Sequence, residues 1–176
     1  TPPRDSVWTL EQQQRSWEIP APPLKEAGRA AELARRFEAL GLRNVRTDSE
    51  GNVIAERPGS GEGPTVVLSG HLGTVFPEGT DVTVKVEGTR MSGPGIGDDC
   101  RGLAVLLATA RALELAKVRT EGTILFVGTV GEEGAGNLRG VRHLFDEELK
   151  GKIDYFLSVD GTGFGVTSGA VGSNRY

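Results

Sequence analysis

The sequence predicts an α/β fold, with a mostly parallel sheet and flanking helices, and two observations support that class. Continuous apolar runs at residues 65–70, 123–130 and 154–160 predict strands buried on both faces, because they lack the polar alternation of a half-exposed strand. Residues 101–117 have the apolar spacing of a strong helix. Strands that alternate with helices are typical of an α/β sheet.

The shorter elements follow from local signals. Further helices are predicted at residues 6–17, 24–41 and 137–149. Residues 45–56 predict two short strands around a Ser-Glu-Gly-Asn turn, and the alternating residues 82–88 predict an edge or hairpin strand. Residues 165–169 begin a further element. With 176 residues, the chain is long enough for one domain with a hydrophobic core.

The composition argues against several kinds of partner. The net charge is -4 and the pI is about 5.3, whereas a protein that binds nucleic acid or an anionic membrane usually has a basic patch. No apolar run approaches the ~18 residues of a membrane span. No signal peptide is visible, so a cytoplasmic location is the expectation. Cys100 is the only cysteine and is expected to be a small packed residue.

Ligand-type side chains follow the predicted strands or precede the central helix. They are His71, Asp98-Asp99, Glu132-Glu133 and Asp160. In open α/β sheets, ligands bind beyond the carboxyl ends of the strands, so these groups are expected to converge. Five carboxylates and one imidazole in one crevice would repel unless cations neutralise them. A mixed set of histidine and carboxylates suits zinc, and less selectively manganese or cobalt.

Each of these groups also has a structural explanation when it is taken alone. A histidine after a strand is often a packed residue, and Asp98-Asp99 could cap the following helix. Glu132-Glu133 could be a solvated loop pair, and Asp160 before Gly161 could be a turn residue. Their coincidence on four elements at one end of the sheet favours a joint site.

Three motifs resemble a known family. Residues 69–80, 92–113 and 127–140 are similar to the metallopeptidase family of carboxypeptidase G, aminoacylase, acetylornithine deacetylase and tripeptidase. Residues 18–42 and 48–56 resemble that family's N-terminal helix and hairpin. The resemblance covers nearly the whole chain and implies a zinc-peptidase-like catalytic domain.

The resemblance also implies a mechanism and a role for each site residue. Two zinc ions, or two cobalt or manganese ions, would activate the water molecule that hydrolyses a small peptide or an N-acyl amino acid. Glu132 would be the general base. The implied metal ligands are His71 and Asp160 for the first ion, Glu133 for the second and Asp98 as a bridge between them. The peptide bond between Asp98 and Asp99 is expected to be cis.

Position 73 departs from the family pattern. The family usually has an aspartate two residues after the metal histidine, where it orients the imidazole, and this chain has Gly73. The loss of such a partner typically costs ~10–100-fold in metal affinity or activity. From the sequence, we therefore expect Gly73→Asp to tighten metal binding.

The length also departs from the family pattern. The resemblance implies that residues 1–176 are the N-terminal portion of the catalytic domain. The family's lid or dimerisation domain, through which a homodimer could form, would be absent. The C-terminal portion of the catalytic domain, which supplies a last histidine, would also be absent. The other histidine, His143, is expected to be a surface or packed residue.

Two alternative functions stay open. One is a non-catalytic relative that binds a metal or small ligand, and the other is a glycoside hydrolase that uses carboxylate pairs.

Overall fold

The computed structural model describes residues 4–161. The helices are α1 (Arg4–Trp17), α2 (Ala27–Ala39), α3 (Cys100–Leu115) and α4 (Arg139–His143). The strands are β1 (Arg43–Thr47), β2 (Val53–Arg57), β3 (Val66–His71), β4 (Lys85–Glu87), β5 (Arg90–Ser92), β6 (Ile124–Thr129) and β7 (Tyr155–Ser158). A 3-10 turn spans Gly134–Gly136, and the wider turns of Leu144–Glu148 continue α4. The predicted element at residues 165–169 lies outside the described residues.

The main sheet has the strand order β1-β2-β6-β3-β7. β1 and β2 form an antiparallel hairpin and β2 is antiparallel to β6, whereas β3 is parallel to both β6 and β7. The α/β class with flanking helices is confirmed, and the hairpin makes the sheet mixed. The parallel register pairs His71 with Thr129, so β3 and β6 end side by side.

Hydrophobic cores cover both faces of the central strands. On one face, Phe126 of β6 packs with Leu33 and Phe37 of α2 and Leu103 of α3. On the other face, the next residue, Val127, packs in a separate cluster with residues of β2, β3 and the segment after α4. Neighbouring residues of a strand point to opposite faces. The predicted two-sided burial is therefore confirmed for β6, which lies in the interior of the sheet.

The prediction of a buried third strand is wrong for β7. Tyr155 is 60% exposed and Leu157 is 50% exposed, whereas Phe156 packs against the second core cluster. Within the described residues, β7 pairs only with β3 and lies at the edge of the sheet, and the face that carries Tyr155 and Leu157 is uncovered. The strand ends at Ser158, and Asp160 follows two residues later.

The peripheral elements match their predictions with shifted ends. Residues 82–88 contribute β4, which pairs with β5 in a separate two-stranded hairpin. The fourth helix begins later than predicted because Asn137 and Leu138 have positive φ values of 51° and 55°. Among the described residues, no helix is both long enough and apolar enough to cross a lipid bilayer.

Candidate metal centre

His71 lies at the carboxyl end of β3 and is only 4% exposed. Its Nδ1 lies 3.1 Å from the carbonyl oxygen of Gly73, and its Nε2 lies 2.8 Å from Oδ1 of Asp98. A carbonyl can only accept a hydrogen bond, so Nδ1 donates to it and the Nε2 lone pair of a neutral ring faces the carboxylate. Two such acceptors at 2.8 Å need a proton or a cation between them.

Three further carboxylates lie near the His71 ring. Asp160 Oδ2 lies 3.8 Å from His71 Nε2, and Glu132 Oε2 lies 3.9 Å from it. Candidate ligand atoms of His71, Asp98 and Asp160 all lie within 4.8 Å of one another, and the same holds for His71, Glu132 and Glu133. The structure thus brings together all five residues in which the sequence predicted metal binding or general-base catalysis.

The side chains of this cluster are open to solvent around a buried imidazole. Asp98 is 68% exposed at its side chain, and Glu132 and Asp160 are partly exposed. Catalytic zinc sites keep one coordination position free for water or substrate. The mixed nitrogen and oxygen donors and their convergence fit a zinc-type ion, with solvent access on the carboxylate side.

The electrostatics of the cluster favour a cation. Burial lowers the pKa of His71, but the charges of the surrounding carboxylates outweigh it and the net pKa is raised. The pKa of Glu133 is also raised, first by burial and then by the negative charge of its carboxylate neighbours. The raised pKa of His71 reflects the negative charge around its ring, which a divalent ion would neutralise.

Asp98 and Asp99 make different contacts although they are neighbours. Asp99 caps α3: its Oδ1 accepts from the backbone N–H of Gly102, and its Oδ2 accepts from the backbone N–H of His71, both at 2.9 Å. Burial raises the pKa of Asp99 to about 7. The capping explanation therefore holds for Asp99, whereas the Asp98 carboxylate faces Nε2 of His71. The Asp98-Asp99 peptide bond is cis, as the family resemblance implied.

The loop that carries Glu132 and Glu133 is held by residues that the sequence analysis did not identify. The Val130 N–H donates to Oδ1 of buried Asn52 at 3.0 Å. The Gly131 N–H donates to Oε1 of Glu26 at 2.9 Å, and Gly131 has a φ of +64°, which favours glycine. Asn52 is the last residue of the predicted Ser-Glu-Gly-Asn turn and Glu26 lies within the helix predicted at residues 24–41, and neither position carries a sequence signal of a long-range contact.

The N-terminal segment also holds the loop that follows His71. Arg29 Nη1 donates to the carbonyl oxygen of Leu72 at 2.7 Å, and the Thr74 N–H donates to the carbonyl oxygen of Ala21 at 3.0 Å. These contacts fix the backbone on both sides of Gly73. The carbonyl that orients the His71 imidazole is therefore part of a restrained loop.

The expectation that Gly73→Asp would tighten metal binding stays a prediction, and two features of the structure argue against it. The His71 imidazole already has a partner in the Gly73 carbonyl. A Cβ at position 73 would lie 3.3 Å from Oε1 of Glu26. An aspartate there would bring a second carboxylate against a buried one, which is unfavourable.

His143 and Cys100 lie outside the cluster. His143 Nε2 lies 3.2 Å from Oγ of Ser49, and its side chain is mostly buried between Asp48 and Glu147. Burial raises the pKa of Cys100 to about 11, so its thiol is a poor nucleophile at neutral pH. Both placements agree with the predictions of packed residues.

Comparisons with known proteins identify related sequences and folds. The sequence profile of peptidase family M28 matches residues 52–173. Carboxypeptidase G2 of Pseudomonas sp. (strain RS-16) is 34% identical over 149 residues, which are 81% of this chain and 35% of that protein. The structure of a tripeptidase from Staphylococcus aureus superposes with a TM-score of 0.73 at 27% identity, over 89% of this chain and 44% of the tripeptidase.

A more distant structure shares the fold. It is the YXEP protein of Bacillus subtilis, a dinuclear metal binding peptidase from the M20 family, with a TM-score of 0.68 and 18% identity over 90% of this chain and 44% of that one. The chain therefore spans less than half the length of these relatives. The predicted resemblance to the carboxypeptidase G type of metallopeptidase is confirmed, and the chain belongs to peptidase family M28.

Proposed function

We propose that the full-length protein is a metal-dependent hydrolase that cleaves a peptide bond or an N-acyl amide bond. The observation that carries this proposal is the position of His71, whose Nε2 faces a group of carboxylates while its Nδ1 is held by a backbone carbonyl. A metal-ligating histidine typically donates its other ring N–H to such an oxygen, which fixes the tautomer for metal binding.

The proposed ligand sets follow the two groups of candidate donors. His71 and Asp160 would hold the first ion, Glu133 would hold the second, and Asp98 would bridge them. When bound, zinc-type ions polarise the scissile carbonyl and make water acidic enough to lose a proton near neutral pH. A further histidine for the second ion, from another part of the protein, stays a prediction of the family resemblance.

Glu132 is the proposed general base. It would take a proton from the attacking water and pass it to the leaving amine. The partial exposure of its side chain leaves it accessible to water and substrate. The hydrogen bonds that hold Val130 and Gly131 position the loop before Glu132, which limits how far its carboxylate can move from His71.

The proposed substrates are small peptides and N-acyl amino acids. They come from the relatives: carboxypeptidase G2 is named as a carboxypeptidase, and the S. aureus relative is named as a tripeptidase. Homodimer formation through a separate module of the full-length protein is also a proposal.

The test uses the full-length protein with zinc, cobalt or manganese and a panel of small peptides and N-acyl amino acids. We expect metal-dependent hydrolysis, and a Glu132→Gln variant should keep its metal and lose activity by ~10²–10⁴-fold. Glu38→Gln, on the exposed face of α2, is the matched control and should keep full activity. Bound metal without hydrolysis of any member would contradict the enzyme and favour a non-catalytic relative. Turnover of a sugar substrate with chelator present would favour a glycoside hydrolase.

A further inference from the structure

Glu26 is a buried carboxylate that lies between two separate loops and is hydrogen-bonded to one of them. It is 3% exposed and stands at the N-cap of α2, but its side chain makes no capping hydrogen bond to its own helix. Instead, Oε1 accepts from the Gly131 N–H at 2.9 Å, and Oε2 accepts from Arg139 Nη2 at 3.2 Å. A charged side chain is rarely buried to this extent unless it is paired. Its partners belong to the segment that carries Glu132 and Glu133.

The same oxygen also faces the loop that holds His71. Oε1 of Glu26 is the atom nearest to the position that a Cβ of residue 73 would take, at 3.3 Å, followed by Cγ of Glu26 at 3.5 Å. Gly73 has no positive φ that would require glycine. A side chain at position 73 would therefore press against the Glu26 carboxylate, which would have to shift by a few tenths of an ångström, whereas the backbone conformation itself does not require glycine.

We propose that Glu26 is a positioning residue of the metal centre, and that Gly73 provides the space for it. Its carboxylate sits between the loop whose Gly73 carbonyl orients His71 and the loop that precedes Glu132. It therefore sets the separation of the imidazole from the carboxylates on the other loop. This inference rests on the proposed function, because it concerns the same metal centre.

A single carboxylate in this space could be supplied from position 26 or from position 73. An aspartate at position 73 would project its carboxylate into the region that Glu26 now fills. With Glu26 present, the two negative groups would be forced together in a buried space. With Glu26 shortened to alanine, the new carboxylate could enter that space from the opposite loop. The effects of the two substitutions should therefore not be additive.

The experiment compares the full-length wild type with Glu26→Ala, Gly73→Asp and the double variant. Zinc affinity is measured by competition titration, and the visible absorption spectrum of the cobalt-loaded protein reports ligand geometry. We expect each single variant to bind zinc ~10–100-fold more weakly and to have an altered cobalt spectrum, since partners that orient ligands have effects of this size. The double variant should bind zinc at least tenfold more tightly than the single variants. Glu18→Ala, an exposed residue of the same N-terminal segment, is the matched control and should bind zinc like the wild type.

A second measurement covers the case in which a single variant folds poorly. Glu26→Gln keeps an oxygen that can accept from the Gly131 N–H, so it should bind zinc more tightly than Glu26→Ala. Hydrogen exchange of residues 124–140 in the metal-free protein should be faster in Glu26→Ala and close to wild type in Glu26→Gln.

Two results would overturn the inference alone. They are wild-type zinc affinity and cobalt spectrum in Glu26→Ala, and additive losses in the double variant. A wild-type protein that bound no zinc would overturn the proposed function, and the inference with it.

Discussion

Replacing Asn52 with alanine should loosen the loop before Glu132. Asn52 is completely buried, and its side chain makes three hydrogen bonds. Oδ1 accepts from the Val130 N–H at 3.0 Å, while Nδ2 donates to the Gly140 carbonyl oxygen at 3.0 Å and to Asp48 Oδ2 at 2.7 Å. Alanine keeps the backbone and removes all three.

The expected cost follows from the groups that lose their partners. The Val130 N–H and the Gly140 carbonyl oxygen belong to buried residues, and each would lose its bond to the Asn52 side chain. A buried polar group left without a partner costs about 1–3 kcal/mol. The Gly140 carbonyl has two lone pairs and Asp48 keeps other donors, so we take a total of about 3 kcal/mol. That energy corresponds to roughly a hundredfold increase in local opening.

Hydrogen exchange measured by mass spectrometry on residues 124–140 is the direct assay. The Asn52→Ala variant should exchange roughly a hundredfold faster there, and its zinc affinity should fall because Glu132 and Glu133 follow the loosened backbone. Gln14→Ala removes another amide whose hydrogen bond, to Glu18, is exposed, and it should change stability by less than about 0.5 kcal/mol. Equal exchange in the two variants would refute the claim that Asn52 holds this loop.

Two other predictions distinguish the proposed metal ligand Asp98 from the helix cap Asp99 and test the ion pair of Glu32. Asp98→Asn should abolish metal binding and change the free energy of unfolding by less than about 0.5 kcal/mol. Asp99→Ala should lower the free energy of unfolding by about 3 kcal/mol, because it removes a helix cap and leaves a buried backbone N–H unpaired. Urea denaturation checks both, and an Asp98→Asn protein as unstable as Asp99→Ala would contradict the division. Hydrogen bonding to Arg35, helped by Arg36, lowers the pKa of Glu32 from 4.5 to about 2 against the opposing effect of burial. Because the folded-state pKa is the lower one, this stabilisation is complete above about pH 4.5 and is lost as the pH falls through about 2. Glu32→Gln should therefore lose about 1 kcal/mol at pH 7, a value reduced for solvent screening, and a loss that stayed constant down to pH 2 would refute the assignment.

The central strands and the long helix could be predicted because their signals are local. β3 and β6 are continuous apolar runs bounded by polar or glycine residues, and α3 has an unbroken helical period. The exposure of Tyr155 and Leu157 was missed because an edge strand and a central strand have the same composition when only one sequence is considered. Burial depends on what covers a strand, and periodicity does not report this.

The candidate site could be predicted at its ligands but not at its supports. His71, Asp98 and Asp160 follow the rule that ligand groups collect beyond strand ends. Glu26 and Asn52 lie 105 and 78 residues from the backbone groups that they bind, and no spacing pattern connects them. The role of Asp99 was ambiguous for another reason: a helix cap and a metal ligand can have the same residue type at the same position.

Elemental analysis of the dialysed full-length protein would show directly whether His71 belongs to a metal centre. His71→Ala and His143→Ala are measured beside the wild type as a matched pair, since His143 lies outside the carboxylate cluster. We expect one or two zinc-type ions per chain in the wild type and in His143→Ala, and loss of metal in His71→Ala. Absence of metal from the wild type, or equal metal in both variants, would contradict a metal centre at His71.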